Sequence, residues 1–281
     1  MKILITGANG MLAKAVREKF KNEELILTDV AELDITNLER VEELVADFNP
    51  DVIINCAAYT AVDKAEEDLE LARKINADGP KNLAIAAKKA KAILVHISTD
   101  YVFGGNLSLE EIYNEDDEKA PETVYGITKL EGEEAIKATM ENYYIFRTAW
   151  LYGDGNNFVR TMLKLGKEKE SLNVVADQHG SPTYAVDLAD IIAQALEKKI
   201  PFGVYHTTNI GFTTWYDFTK EIFKMTGISC KVNPVTSEEF VRPAKRPANS
   251  MMSKDKLLQA GIVVPNWEDA LERYLKEEKE I

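Results

Sequence analysis

Short, almost wholly apolar runs alternate with longer helix-patterned stretches through the first half of this chain. That alternation restricts its fold more than any other feature. Residues 2–6 (KILIT), 24–28 (ELILT), 51–56 (DVIINC), 92–98 (AILVHIS) and 143–148 (YYIFRT) are β-type runs. Between them, residues 11–20, 38–48, 69–90 and 124–140 carry helical spacing. In the second of these, Val41, Leu44, Val45 and Phe48 share one face, and Asn37 is placed to cap the helix. A break is predicted in the third at Gly79-Pro80. Strands apolar on both faces must be covered on both faces, so the pattern predicts a parallel sheet between helical layers. Right-handed crossovers make the α/β fold a doubly wound parallel sheet of the Rossmann type.

The first strand pattern runs straight into Gly7-Ala8-Asn9-Gly10-Met11-Leu12-Ala13 and the first helix. A glycine at 7 allows a sharp turn, a glycine at 10 lets backbone approach a pyrophosphate, and a small residue at 13 allows close helix–strand packing. An anion then sits at the helix N-terminus. Strand–turn–helix context makes this a dinucleotide-binding signal rather than an ordinary tight turn. Asp29 ends the second strand, where a carboxylate accepts from ribose hydroxyls and repels a 2′-phosphate; no Arg follows at 30–36. The expected cofactor is therefore NADH in preference to NADPH. Asp34-Ile35 comes next, with Asp34 in reach of an adenine amino group. The small residues Ala57 and Ala58, before Tyr59, let a cofactor lie across the sheet edge.

Tyr125 and Lys129 stand at i and i+4 in the fourth helical stretch and share a face. A phenol is a poor acid–base group at neutral pH, and a neighbouring ammonium is expected to lower its pKa. Ser98 and Thr99 close the fourth strand at the ligand-binding edge, and Thr99 is the expected catalytic hydroxyl.

The second half is less regular. Residues 173–176 and 204–208 predict short strands, 188–197 a helix, and 215–226 a helix ended by Gly227. Residues 234–250 read as loops and the acidic tail 272–281 as a solvated helix end. The expected organisation is a dinucleotide-binding core over residues 1–150, with 171–200 returning to it, and a smaller substrate-binding lobe mainly from 151–281. A net charge of −13 argues against nucleic acid as a partner. No apolar run approaches the roughly 20 residues of a bilayer span, and the opening lacks a signal-peptide layout. The expected setting is the cytoplasm, without a membrane partner. Cys56 and Cys230 match no metal or redox spacing and are expected as reduced structural thiols. His96, inside an apolar run, is expected in the core, and the sequence outlines no metal site.

With these motifs in place, the chain resembles the dTDP-4-dehydrorhamnose reductase family, within the extended short-chain dehydrogenases/reductases. The matching stretches are GANGMLA at 7–13, NCAAYTAVDKAE at 55–66, STDYVFGG at 98–105, YGITK at 125–129, RTAWLYG at 147–153, NNFVRTML at 156–163, DQHGSPTY at 177–184 and RPANS at 246–250. The resemblance implies reduction of the 4-keto group of dTDP-6-deoxy-L-lyxo-4-hexulose (dTDP-4-dehydrorhamnose) to give dTDP-L-rhamnose, in polysaccharide biosynthesis. It implies that Gly10, Met11, Leu12, Asp29, Asp34, Ile35, Ala57, Ala58, Tyr59, Tyr125 and Lys129 touch cofactor. It also implies that Thr99, Asp100 and Trp150 contact the sugar of the nucleotide-sugar substrate. Ala13 stands where many members carry a third glycine. Some members bind Mg²⁺ at a dimer interface; the sequence places no such site and leaves a homodimer open. A substrate diphosphate on so acidic a chain needs a specific cation, and Arg246 is the first choice, with Arg242 and Lys245 as rivals. Two alternatives remain at this level. Sugar-nucleotide dehydratases and epimerases share the fold, but the dehydratases carry Thr-Asp-Glu where this chain has Tyr101 in the third place. The regulatory subunit of methionine adenosyltransferase also resembles the chain and acts by binding a partner.

Overall fold

Alternate residues of the sheet strands point to opposite helical layers. The computed structural model describes residues 1–280; Ile281, the last position of the tail expectation, lies outside the described residues. The first half runs β1 (Lys2–Thr6), α1 (Met11–Lys19), β2 (Glu24–Thr28), α2 (Leu38–Phe48), β3 (Val52–Asn55), α3 (Val62–Ala65), α4 (Leu69–Arg73), α5 (Gly79–Ala90), β4 (Ile93–Thr99), α6 (Val124–Thr139) and β5 (Tyr143–Thr148). It continues with β6 (Leu151–Tyr152), α7 (Phe158–Glu168), β7 (Ser171–Val175), β8 (His179–Gly180), β9 (Thr183–Tyr184), α8 (Ala185–Lys198) and β10 (Gly203–His206). Then come β11 (Thr213–Thr214), α9 (Trp215–Thr226), β12 (Lys231–Val235), α10 (Asp255–Gln259) and α11 (Trp267–Glu277).

Six strands pair in the order β10-β5-β4-β3-β1-β2, all parallel. Ile3, Ile5, Ile54, Val95 and Phe146 pack toward α1 and α8. Leu4, Ile53, Leu94 and Ile145 pack toward α2, α5 and α6. The chain leaves β1 for β2 on one side and reaches β3 on the other. The loops after β1 and β3 therefore diverge and open a crevice at the carboxyl edge. The Asn37 side chain caps α2 by accepting from the Arg40 N–H.

The predicted break at Gly79-Pro80 is a widening instead. The chain stays helical from 69 to 90, with a π-turn over Lys74–Asp78 just before Gly79. Pro80 has no N–H to give the Asn76 carbonyl, so the α-helical bond there cannot form. Gly132 of α6 packs on that carbonyl so closely that a Cβ would overlap it.

The second half also departs from expectation. Residues 234 and 235 are not loop: they pair with Val174 and Val175 in the two-stranded β7–β12 sheet, where an edge position tolerates Pro234. The predicted helix over 188–197 starts earlier, at Ala185. The acidic tail is not simply solvated. Leu271, Tyr274 and Leu275 repeat at helical spacing and are buried with Val159, Phe218 and Ile222, while Glu278 pairs with Arg160 at 2.7 Å. Acidic composition masked that apolar stripe.

Among the described residues, one ion pair is wholly buried on both sides. Arg147 of β5 donates to both oxygens of Glu133 of α6, at 2.9 and 2.7 Å, and the Ser98 hydroxyl of β4 donates to the same carboxylate at 2.6 Å. Burial alone would raise the Glu133 carboxyl; the Arg147 guanidinium overrides it and holds the group below its ordinary range. Arg147→Met should therefore cost about 3–5 kcal/mol at neutral pH, because it strands a buried carboxylate. Glu133 contributes stability that is present above the unfolded carboxylate pKa and lost as pH falls through the lowered folded one. The gap between variant and parent, read by denaturant titration at several pH values, should narrow in acid. A gap that stays constant would assign the loss to packing instead.

Candidate active site

The turn after β1 is shaped for close approach. Gly7 takes φ +65°, and a Cβ there would lie 2.7 Å from the Ala57 backbone nitrogen, just past the end of β3. Gly10 then caps α1 without any side-chain bond, and the first turn of α1 carries no acidic residue. Gly10, Met11 and Leu12 line the crevice, and a helix N-terminus with no internal anion favours an external one. These features fit a dinucleotide pyrophosphate.

A cavity of about 770 Å³ opens from this turn, within the size range of cofactor sites. Gly7, Gly10, Met11 and Leu12 line one end, with Asp29, Asp34, Ile35, Ala57 and Ala58; Thr99, Asp100, Tyr125, Lys129 and Trp150 line the rest. The Asp29 carboxylate also braces the turn, accepting from the N–H groups of Asn9 at 3.0 Å and Val30 at 2.8 Å. Asp34 accepts from the Thr36 N–H and hydroxyl. Tyr59 is not brought to the cavity wall: its hydroxyl donates to Asp68 at 3.0 Å and its backbone N–H to Asn76.

Thr99 ends β4 and donates to Asp100 Oδ1 at 2.9 Å while accepting from the Tyr101 N–H. The second Asp100 oxygen is buried without a partner among the described residues, and burial pushes this carboxyl up to about 6. Tyr125 lies in the first turn of α6, whose cap is the Thr123 side chain. Its ring meets Tyr101 edge-on at 5.5 Å. Burial pushes the Tyr125 phenol up to about 12, against a weaker downward pull from the Thr99 hydroxyl. The expectation of a phenol lowered by its lysine is therefore corrected. The Lys129 Nζ is turned to the Ile97 carbonyl, at 2.6 Å, and burial lowers this amine to about 8.

Trp150 takes φ +48° and stacks on Trp215 at 3.7 Å; Gly180 leaves room for the ring. A bulky residue held in the left-handed region is strained and persists only where packing dictates it. Arg246 does not line the cavity. It pairs with Asp63 at 2.9 Å beside a neighbouring groove that also holds Arg242, Lys245 and Trp215.

Sequence reasoning missed several participants. His96 is buried as expected, but its ring also contacts Lys129 Nζ. Glu133 extends the Tyr125–Lys129 face by one more turn, a signal present in the i+8 spacing. Trp215 lies far from Trp150 in sequence and carried no local signal. Cys56 lines the cavity as a thiol pushed up to about 12 by burial. No group of three or more His, Cys, Asp or Glu among the described residues is arranged to hold a metal ion.

A parallel sheet with its glycine turn at the switch point, and a Tyr–Lys helix facing the same crevice, define a nicotinamide-dinucleotide-dependent oxidoreductase of the short-chain type. The chain belongs to the RmlD substrate binding domain family, which it matches over residues 1–280. It is similar to a spore coat polysaccharide biosynthesis protein of Bacillus subtilis, 39% identical over 98% of this chain and 97% of the relative. A dTDP-4-dehydrorhamnose reductase from Clostridium acetobutylicum superposes with a TM-score of 0.96 at 51% identity, covering 99% of this chain and 100% of the other. A Bacillus anthracis dTDP-4-dehydrorhamnose reductase in complex with NADP gives 0.94 at 44% identity, covering 98% and 99%.

Gly7→Ala would force a methyl against Ala57 in a left-handed conformation. Dinucleotide affinity, measured by NADPH fluorescence titration, should fall at least about tenfold, within the strain expected of such a residue. Unchanged affinity would show that this turn does not shape the site.

Proposed function

We propose that this protein is an NAD(P)H-dependent reductase of a dTDP-6-deoxy-4-keto-hexose, forming dTDP-L-rhamnose from dTDP-4-dehydrorhamnose for polysaccharide biosynthesis. One observation carries the reading: Thr99, Tyr125 and Lys129 share the wall of a single cavity with the glycine turn and the uncapped helix N-terminus.

When bound, the reduced nicotinamide supplies hydride to the carbonyl carbon. Gly7, Gly10, Met11 and Leu12 receive its pyrophosphate, and Asp34, Ile35, Ala57 and Ala58 flank the adenosine half. Tyr125 keeps its proton at neutral pH, which is the state a reduction uses, and donates it to the carbonyl oxygen as general acid. The Thr99 hydroxyl reaches the same oxygen by turning away from Asp100. Lys129 supports the tyrosinate left behind. Trp150, backed by Trp215, packs against the 6-deoxy sugar with Asp100 beside it. Arg246, held by Asp63, meets the diphosphate where general attraction to so acidic a chain is absent.

Oxidation of NADH with dTDP-4-keto sugars, with the product identified, tests the assignment. Tyr125→Phe should lower kcat by at least about 100-fold, the lower range for a general acid, and leave dinucleotide affinity almost unchanged. Near-full turnover by that variant would remove Tyr125 from the chemistry.

The finer cofactor choice rests on Asp29. Its carboxylate repels a 2′-phosphate and favours NADH. Asp29→Ala should narrow or reverse the ratio of kcat/KM for NADH over NADPH. A constant ratio would mean that Asp29 serves the turn alone.

A further inference from the structure

The Lys129 amine is met from β4 by a histidine whose tautomer the fold decides. Asn55 Oδ1 accepts the Ala57 backbone N–H at 3.1 Å and the Thr6 hydroxyl at 2.7 Å. A backbone N–H only donates, so the Asn55 atom facing it is oxygen and the opposite one is the NH₂. Asn55 Nδ2 therefore donates to His96 Nδ1, 3.0 Å away. His96 is fully buried, and burial, reinforced by Lys129, keeps its ring neutral. A neutral imidazole whose Nδ1 accepts carries its one proton on Nε2. That Nε2 lies 3.3 Å from Lys129 Nζ. An ammonium offers three donors and no acceptor, whereas an uncharged amine has a lone pair for this N–H.

We propose that Asn55 and His96 are positioning residues for Lys129: by presenting an N–H to Nζ they favour the uncharged amine and set the alkaline limb of the reduction. The inference rests on the catalytic reading of Tyr125 and Lys129. A charged Lys129 steadies the tyrosinate formed when Tyr125 gives up its proton, so turnover falls as rising pH removes that charge.

Nζ also donates to the Ile97 carbonyl at 2.6 Å, a bond that an ammonium and an uncharged amine can both make, so it does not select between them. Burial lowers Lys129, while Glu133 on α6 and the Cys56 thiol after β3 act in the opposite sense. Glu133 is matched by Arg147 of β5. On the remaining elements packed against α6, Arg73 of α4 pairs with Glu131, Asp63 of α3 with Arg246 and Lys89 of α5 with Glu42. Asp100, in the turn after β4, is bonded to Thr99, and Lys74 of the π-turn lines the cavity.

Asn55→Asp is nearly isosteric and tests the lock. Its carboxylate still accepts from Ala57 and Thr6 but can no longer donate to the ring. The His96 proton then moves to Nδ1, and a lone pair at Nε2 faces Lys129. In the dinucleotide-bound protein, the Lys129 pKa, read from its Cε resonance, should rise by about one unit or more. It should rise also in His96→Leu, which removes the N–H without adding the carboxylate's charge; a rise confined to Asn55→Asp would assign the shift to that charge and overturn the proposal. The alkaline limb of kcat/KM should move up with it, whereas a merely structural role would lower activity without moving the limb. Histidine ¹⁵N spectra should show an Nε2–H tautomer for His96 in the parent and an Nδ1–H tautomer in the variant. A switched tautomer with an unmoved Lys129 pKa overturns the proposal. So does an Nδ1–H tautomer in the parent protein, a reading that holds even if the variant does not fold. Both resonance measurements are independent of turnover. A parent without 4-keto sugar reductase activity would defeat the functional reading alone.

Discussion

The buried contacts of Glu133 with Arg147 and Ser98 tie the helix that carries Tyr125 and Lys129 to β5 and to β4, the strand that carries Thr99 and His96. Tyr125, Lys129 and Glu133 follow one another at intervals of four along α6, so they share a face. Anchoring Glu133 on Arg147 and Ser98 fixes the rotation and height of that face over the sheet. Gly126 and Gly132 let the helix press close: a Cβ at either position would overlap backbone, at Tyr101 and Asn76 respectively. Removing two charges from water is costly, and the pair repays it only through this full set of bonds. Its contribution is orientation as much as stability.

The cavity that results is electrically quiet around the Tyr125 hydroxyl. Tyr125 holds its proton, Lys129 lies near the boundary between charged and neutral, and Asp100 is shifted up toward neutrality. Burial is the first cause in all three cases, since low polarity penalises whichever form is charged. The strongly acidic surface supplies no general pull on anionic ligands, so binding depends on local donors. The start of α1, without a side-chain cap bond or an acidic residue, offers such donors, and Arg242 and Arg246 stand in the groove beside Trp215.

Much of this was legible in the sequence. The glycine turn, the Tyr–Lys spacing and the strand–helix alternation are local patterns, and local patterns survive being read one stretch at a time. Asn37 as a cap and Gly227 as a helix end belong to the same class. The apolar stripe of 271, 274 and 275 was there to be read too, but the acidic residues around it hid the period. Tyr59 marks the limit of local reading: its stretch is legible, but the bond of its hydroxyl to Asp68 is not.

By itself the sequence determined a doubly wound parallel sheet, a dinucleotide turn and a tyrosine and lysine on one helical face, because each follows from neighbours along the chain. Only the tertiary structure decided how those groups are charged. The proton state of Tyr125 depends on burial among residues from several elements. The neighbour of Lys129 depends on β3 and β4 lying side by side, so that Asn55 can hold the His96 ring. Trp150 and Trp215, and Arg246 and Asp63, likewise meet only once distant segments fold together. Spacing in sequence sets which side chains share a face; solvent exclusion and contacts between distant segments set what those side chains can do.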